Sequence, residues 1–314
     1  MIALYLDKLT EDMEKLLLER MPEGVDIRFL HPTIGKKGEL KDADVFIDTT
    51  FKVTKEVIDE APKLKLIQRT GIGVDMIDVA YAKEKGIEIS VCRGFNSVSV
   101  AELAVLDMLA LYRRLCFMDK TTKAGEWHTW THRHESYELT GKVVGVVAVG
   151  NIGKNIIKRV KAFDTKVLYY DPIRLSEEQE KALGVEYRTF EELIREADVV
   201  TLGGLPLLPQ TIGMIGREQL KAMKKTAILV TAREQLVDLE ALAEALLEGE
   251  IAGAAIDTFA PFPDDNPIHK AKNTNLIITP HIGAATFDNY DRVFKLCATN
   301  LIHLMNNEPA EMTI

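Results

Sequence analysis

"GVVAVGNIGKNIIKRVKAFDTKVLYYDP", residues 145–172, runs from an apolar strand through a glycine turn and an amphipathic helix into a second strand that closes on an acid. A dinucleotide site needs that order. Gly150 lets the backbone approach a pyrophosphate, Gly153 lets the helix pack on the strand, and the amides that open the helix at Asn151 and Ile152 face the phosphates. Asp171 follows Gly150 by 21 residues. A carboxylate there accepts hydrogen bonds from ribose hydroxyls and repels a 2′-phosphate, so NAD is favoured over NADP. One position departs from the pattern: Ala148 stands where the first glycine belongs. Alanine serves if its φ is negative and costs about 1 kcal/mol or more if φ is positive. A glycine turn that only packs a helix is the competing reading, and the flanking strand, helix and acid disfavour it.

Outward from this stretch, short apolar runs alternate with helical patterns. Strands are predicted at 2–7, 25–30, 44–50, 64–70 and 87–91, with helices at 10–21, 54–61 and 75–85. A second series has strands at 142–149, 166–171, 198–204, 226–231, 251–257 and 274–279, with helices at 151–163, 189–196 and 238–248. Such alternation indicates βαβ units, hence an α/β chain with two wound parallel sheets. Between them "SVSVAELAVLDMLALYRRL" (97–115) is apolar on more than one face, as in a helix buried between domains or at an oligomer interface. The last helix, 287–306, has the same look and is expected to cross back to the N-terminal domain. The chain shows neither short repeats nor a Pro/Gly/Ser tether, so the domains are expected to exchange elements.

At 314 residues the chain exceeds the usual size of one core, which points to two domains. Apolar residues make up 46% and charged residues 28%, and the apolar runs are too short for a membrane span. The start, "MIALYLDKLTEDMEK", lacks the basic-then-apolar pattern of a secretory signal, so a cytoplasmic location is expected. Cys92, Cys116 and Cys297 read as buried free thiols rather than as a disulfide framework or zinc site. A formal charge of −9 disfavours nucleic acid and acidic membranes as partners. It also repels anionic substrates, which directs attention to single arginines in loops.

Three later stretches share one logic: "LVTAREQLVDLEAL" (229–242), "IAGAAIDTFAPFP" (251–263) and "IITPHIGAAT" (277–286). Each sets a polar residue just past a strand end, where an open α/β sheet has its ligand crevice. Arg233, Asp257 and His281 are thereby candidates to converge on a nicotinamide. Taken singly, Arg233 reads equally as a solvated loop charge, His281 as a structural histidine and Asp257 as a turn-capping carboxylate.

Through "RTGIGVDMID" (69–78), "NSVSVAELAV" (96–105), "VGNIG" (149–153), "TAREQLVD" (231–238), "GAAIDTF" (253–259) and "TPHIGAAT" (279–286), the chain resembles the D-isomer-specific 2-hydroxyacid dehydrogenase family over nearly its whole length. The resemblance implies two doubly wound parallel-sheet domains. A Rossmann NAD-binding domain, residues 98–287, is inserted into a flavodoxin-like catalytic domain, residues 1–97 and 288–314, and the inserted domain builds a homodimer. It implies a small-molecule 2-hydroxy or 2-oxo acid substrate, reduced by hydride transfer to the carbonyl carbon while His281, as imidazolium, protonates the oxygen. Arg233 then holds the substrate carboxylate and polarises the carbonyl. The amides near Ile72 and Gly73 receive the other carboxylate oxygen, and Asp257 orients the nicotinamide carboxamide. The implied cofactor contacts include Val100, Leu205, Pro206, Thr211, Thr231, Ala232 and Gly283, with no metal.

Several positions depart from the family. Phe262 stands where a glutamate pairs with the histidine, and an apolar neighbour disfavours imidazolium; either Asp264 or Asp265 substitutes from a shifted loop, or His281 lacks an acid partner that the sequence identifies. "TLGGLPLLPQT" (201–211) carries an extra glycine, and Glu234 replaces a small glycine after Arg233. "GEWHTWTHRHE" (125–135) gathers both tryptophans and three histidines, which reads as a dimer contact or pocket wall, or as plain surface packing, sooner than as a metal site. Two other functions compete: an NAD(H)-binding regulator with a degenerate site, and a formate-type dehydrogenase, which the length of the chain disfavours.

Overall fold

The computed structural model describes residues 1–258 and 260–314. The chain divides into two units, Met1–Asn96 with Thr286–Ile314, and Ser97–Ala285. The first unit opens with β1 (Ile2–Tyr5), α1 (Glu11–Arg20), β2 (Asp26–Phe29), β3 (Lys36–Lys37), β4 (Val45–Asp48), α2 (Lys55–Asp59), β5 (Leu66–Arg69), α3 (Val79–Glu84) and β6 (Glu88–Ser90). The second holds α4 (Ser97–Tyr112), α5 (Leu115–Lys123), β7 (Val143–Val147), α6 (Asn151–Val160), β8 (Lys166–Tyr170), α7 (Glu177–Leu183), β9 (Glu186–Tyr187) and α8 (Phe190–Glu196). It continues with β10 (Val199–Thr201), α9 (Arg217–Ala222), β11 (Ile228–Thr231), α10 (Leu239–Leu247), β12 (Gly253–Asp257) and β13 (Leu276–Thr279). Then α11 (Phe287–Met305) returns to the first unit.

Both sheets are parallel throughout, in the orders β3-β2-β1-β4-β5-β6 and β13-β12-β11-β10-β7-β8-β9. The second is the Rossmann order with one strand added, and its direction of winding reverses between β7 and β10. Without the two-residue edge strand β3, the first is the flavodoxin-like order. Parallel strands covered on both faces must be apolar on both, and β4, β5, β11 and β12 are buried at every residue. Leu220, Leu236, Leu242 and Leu246 pack on one face of the second sheet, and Met108, Leu111, Ile156 and Ile157 on the other. In the first unit, Leu17 of α1 and Phe294 and Leu301 of α11 cover one face with Phe29 and Ile47. Ile58 and Ala82 cover the other with Phe46 and Ile67.

The structure corrects the sequence reading in places. The helix expected over 97–115 ends at Tyr112, where a left-handed φ of 49° at Arg114 redirects the chain, and a further helix not expected from the sequence, α5, follows it. No residue of α5 is buried. Cys116 is therefore exposed, against expectation, whereas Cys92 and Cys297 are buried free thiols; desolvation pushes Cys92 up to about 12. The strand expected to reach residue 204 stops at Thr201, which leaves both glycines of "LGG" in the following loop. Among the described residues, no helix is long and apolar enough to cross a membrane.

Candidate active site

All seven strands of the second sheet run parallel and end on one rim, and three loops on that rim carry the polar candidates. β11 ends at Thr231, β12 at Asp257 and β13 at Thr279, side by side in register. Arg233 and His281 each lie two residues beyond their strands, on either side of β12. Strand spacing sets their backbones about 10 Å apart.

Each loop is held from below. Thr231, 2% exposed, donates from Oγ1 to the Arg233 carbonyl at 2.9 Å and accepts from the Arg233 amide at 3.1 Å. The arginine backbone is thereby fixed at its root. Among the described residues the Arg233 guanidinium has no hydrogen-bond or ion-pair partner, so its donors are available to a carboxylate. Asp257 is buried. Its Oδ1 accepts from Thr279 Oγ1 at 2.6 Å and from the Ile282 amide at 2.9 Å, and its Oδ2 accepts from the Gly283 amide at 2.8 Å. The carboxylate thus caps the turn that presents His281. That residue is exposed, with φ 55°, a left-handed conformation uncommon outside glycine and found where surrounding structure enforces it. A Cβ on Gly283 would come within 2.9 Å of Asp257 Oδ2 and 3.4 Å of Val100 Cγ2, so glycine is what lets the turn close on α4.

On the other side of the switch point, α6 begins at Gly150 without a side-chain cap, which leaves its first amides, including those of Asn151 and Ile152, open to an anion. An added Cβ at Gly150 would meet nothing within 4 Å; the approach is clear. Asp171 Oδ2 accepts from the Val149 amide at 2.9 Å and Oδ1 from the Ile173 amide at 3.0 Å, which leaves each oxygen a further lone pair for a ribose hydroxyl. These residues fit a dinucleotide. Leu205 is buried, Pro206 exposed, and Thr211 folds their loop: its hydroxyl donates to the Pro206 carbonyl at 2.8 Å and accepts from the Leu208 amide at 2.9 Å. Ala232 is half-buried between Thr231 and Arg233.

Three findings go beyond the sequence reading. Gly203, which looked superfluous, is where a Cβ would fall 3.1 Å from both the Ala148 carbonyl oxygen and Gly153 Cα; its loop crosses the glycine turn at close range. Ala148 has φ 70°, the strained alternative. Asp107 of α4 is buried, and desolvation, reinforced by the charge of Asp257, pushes it up to about 7. Its only trace in the sequence is an acid amid the apolar residues of α4.

Phe262 is half-buried against the α10 side of the core, its ring 6.3 Å from that of His269, and Asp264 and Asp265 are exposed. The histidines of 125–135 turn to carboxylates. His128 Nε2 lies 2.7 Å from Glu126, while His132 Nδ1 and His134 Nε2 each lie 3.2 Å from Glu135. Among the described residues, no group of three or more His, Cys, Asp or Glu is placed to hold a metal. Ile72 and Gly73 belong to the first unit, in the turn after β5, with Ile72 51% exposed.

Residues 105–283 match the family model of the D-isomer specific 2-hydroxyacid dehydrogenase NAD binding domain. A glyoxylate reductase of Korarchaeum cryptofilum is 38% identical over 275 residues, 86% of this chain and 82% of that protein. A D-3-phosphoglycerate dehydrogenase of Methanocaldococcus jannaschii is 40% identical over 315 residues, 99% of this chain but 59% of that protein. Among solved structures, the NAD-dependent formate dehydrogenase of Staphylococcus aureus, in complex with NAD, superposes with a TM-score of 0.80 at 30% identity, covering 100% of this chain and 99% of that one. Length alone therefore does not separate this chain from that enzyme.

Proposed function

Because the chain belongs to the D-isomer specific 2-hydroxyacid dehydrogenases and is an NAD-dependent oxidoreductase of 2-hydroxy and 2-oxo acids, we propose that Arg233 and His281 carry its chemistry on a short 2-oxo acid such as glyoxylate. The observation that supports this most is the placement of both residues on one rim, two strands apart, over a buried carboxylate that fixes the turn of one of them.

When bound, NADH supplies the hydride. Arg233 takes the substrate carboxylate on its guanidinium edge and draws electron density from the carbonyl, which makes the carbon a better acceptor. His281, protonated, delivers a proton to the carbonyl oxygen as the new C–H bond forms, and accepts it in the reverse direction. Asp257 acts through the backbone, holding the His281 turn. The Ile72–Gly73 turn enters the proposal as the carboxylate-receiving loop of the first unit. The chain is further proposed to be a cytoplasmic homodimer. Trp127 and Trp130, 80% and 73% exposed, supply apolar surface for a partner copy, and the buried thiols suit a reducing compartment.

NADH oxidation with glyoxylate, hydroxypyruvate, pyruvate and bulky 2-oxo acids tests the reading. Turnover of the short acids, abolished by His281→Ala and Arg233→Ala, supports it. Binding of NADH without turnover of any acid identifies a regulator. A formate-type activity is the second reading, favoured by the solved formate dehydrogenase and by Phe262, since oxidising formate leaves no hydroxyl proton to remove. NAD+ reduction by formate, with no oxo acid turned over, would establish it.

A further inference from the structure

β4 and β5 of the first unit finish on Asp48 and Arg69, which stand opposite each other in the parallel register. Asp48 is fully buried and Arg69 is 7% exposed. The Arg69 Nη1 donates to Asp48 Oδ2, and Nε of the same guanidinium donates to the Gly73 carbonyl at 2.8 Å. A planar guanidinium with Nη1 on a carboxylate and Nε on a carbonyl has little rotational freedom left. Its own backbone is anchored as well: Cys92 Sγ at 3.3 Å and Gln68 Nε2 at 3.1 Å both donate to the Arg69 carbonyl. Beside it, a hydroxyl chain from Tyr5 through Thr49 to Thr70, each step 2.8 Å, ties the ends of β1, β4 and β5. The turn that follows is exposed at Ile72. The bond to the Gly73 carbonyl is its side-chain tether to the buried end of the sheet.

Burying an ion pair is weak evidence of stabilisation, because desolvation consumes much of the attraction. Here Asp48 Oδ1 is in addition buried with no hydrogen-bond partner among the described residues. A pair retained at such a cost points to a positional role.

We propose that Arg69, clamped by Asp48, is a positioning residue: through the Gly73 carbonyl it orders the Gly71–Asp75 turn so that the Ile72 and Gly73 amides receive the substrate carboxylate. It sets KM for the oxo acid without entering the chemistry. The inference rests on the reading of that turn as the carboxylate-receiving loop. The groups facing Asp48 are Arg69 from β5, Asp7 beyond β1 and Cys297 of α11. Burial pushes Asp48 up to about 6, with Arg69 opposing and Asp7 adding to the rise. Below that pH the clamp loses its carboxylate charge, so KM should rise as pH falls through about 6.

The test uses the full chain with NADH, glyoxylate and hydroxypyruvate. Arg69→Gln is expected to raise KM roughly tenfold, the value of about one charge-assisted hydrogen bond, with kcat and the Kd for NADH little changed. It should also speed hydrogen exchange at the amides of residues 72–75, and Arg69→Lys should recover part of the KM. The single change leaves a carboxylate buried, so the doubly neutral Asp48→Asn/Arg69→Gln variant guards against misfolding. It should keep the raised KM and lose its pH dependence near 6. Unchanged KM in the folded double variant, or kcat falling in step with the rise in KM, overturns the role in substrate binding. Unchanged exchange at 72–75 overturns the ordering of the turn. A parent protein that turns over no oxo acid defeats the activity reading and the KM assignment with it, whereas exchange still decides whether Arg69 orders the turn.

Discussion

At φ 70°, Ala148 holds a methyl group in a conformation that costs an L-residue roughly 1–2 kcal/mol, part of which glycine would give back as entropy in the unfolded chain. Ala148→Gly should therefore stabilise the protein by about 1 kcal/mol or somewhat less, read from urea unfolding. The substitution was plain in the sequence; its φ was not, because only the close crossing at Gly153 and Gly203 fixes the path of that turn. Asp171 makes the cofactor prediction. With both oxygens already turned to amides, the carboxylate cannot swing away from a 2′-phosphate, so NADPH should give a kcat/KM at least about tenfold below that of NADH. Equal values would remove the assignment. Asp257 shows the limit of reading residues singly: its place after β12 was legible, but its three bonds to the His281 turn depend on a loop 22 to 26 residues further on. Phe262 was legible as a missing acid. That its ring joins the α10 side of the core was not.

Helix α6 gives the sharpest contrast at the scale of an element. A Cβ at Gly153 would fall 2.2 Å from the Ala148 carbonyl oxygen, so Gly153→Ala must push the helix off its strand. A cost of about 1–3 kcal/mol is expected for such overpacking, together with weaker NADH binding. Gly150 has φ −74° and open space around it. Gly150→Ala should leave the unfolding midpoint unchanged and lower NADH affinity alone, because its methyl meets only the incoming pyrophosphate; calorimetry with NADH titration separates the two effects. Elements with a strong apolar period, such as α6 and α10, and strands buried on both faces were readable. Those without one were not. The two-residue β3 and β9 are too short to show alternation, and α7 buries no residue and is defined by its Ser176 capping box. The break before α5 hides in a pair of arginines where no glycine or proline marks it.

Over the whole molecule, two buried acids tie stability to pH. Asp48 is raised to about 6 and Asp107 to about 7, from an ordinary value of 3.8. Each folded value lies above the unfolded one, so the native state holds the proton more tightly. The resulting stabilisation is whole below about pH 4 and is lost as pH rises through 6 to 7. Asp107→Asn keeps the neutral form at every pH, and should raise Tm at pH 8 by about 3 °C or more while changing little near pH 4; scanning calorimetry across that range decides it. The two-sheet plan was legible because helices and strands alternate in both halves of the chain. The pH response was not, since it arises from burial. Chain order has one more consequence. The first unit closes one wall of its core with Val293, Phe294, Leu296 and Leu301 of α11, so on the ribosome its strands emerge long before that wall exists. The inserted unit is synthesised in full meanwhile and is free to fold first. The nascent N-terminal strands must wait with apolar faces uncovered, a natural hold for a chaperone.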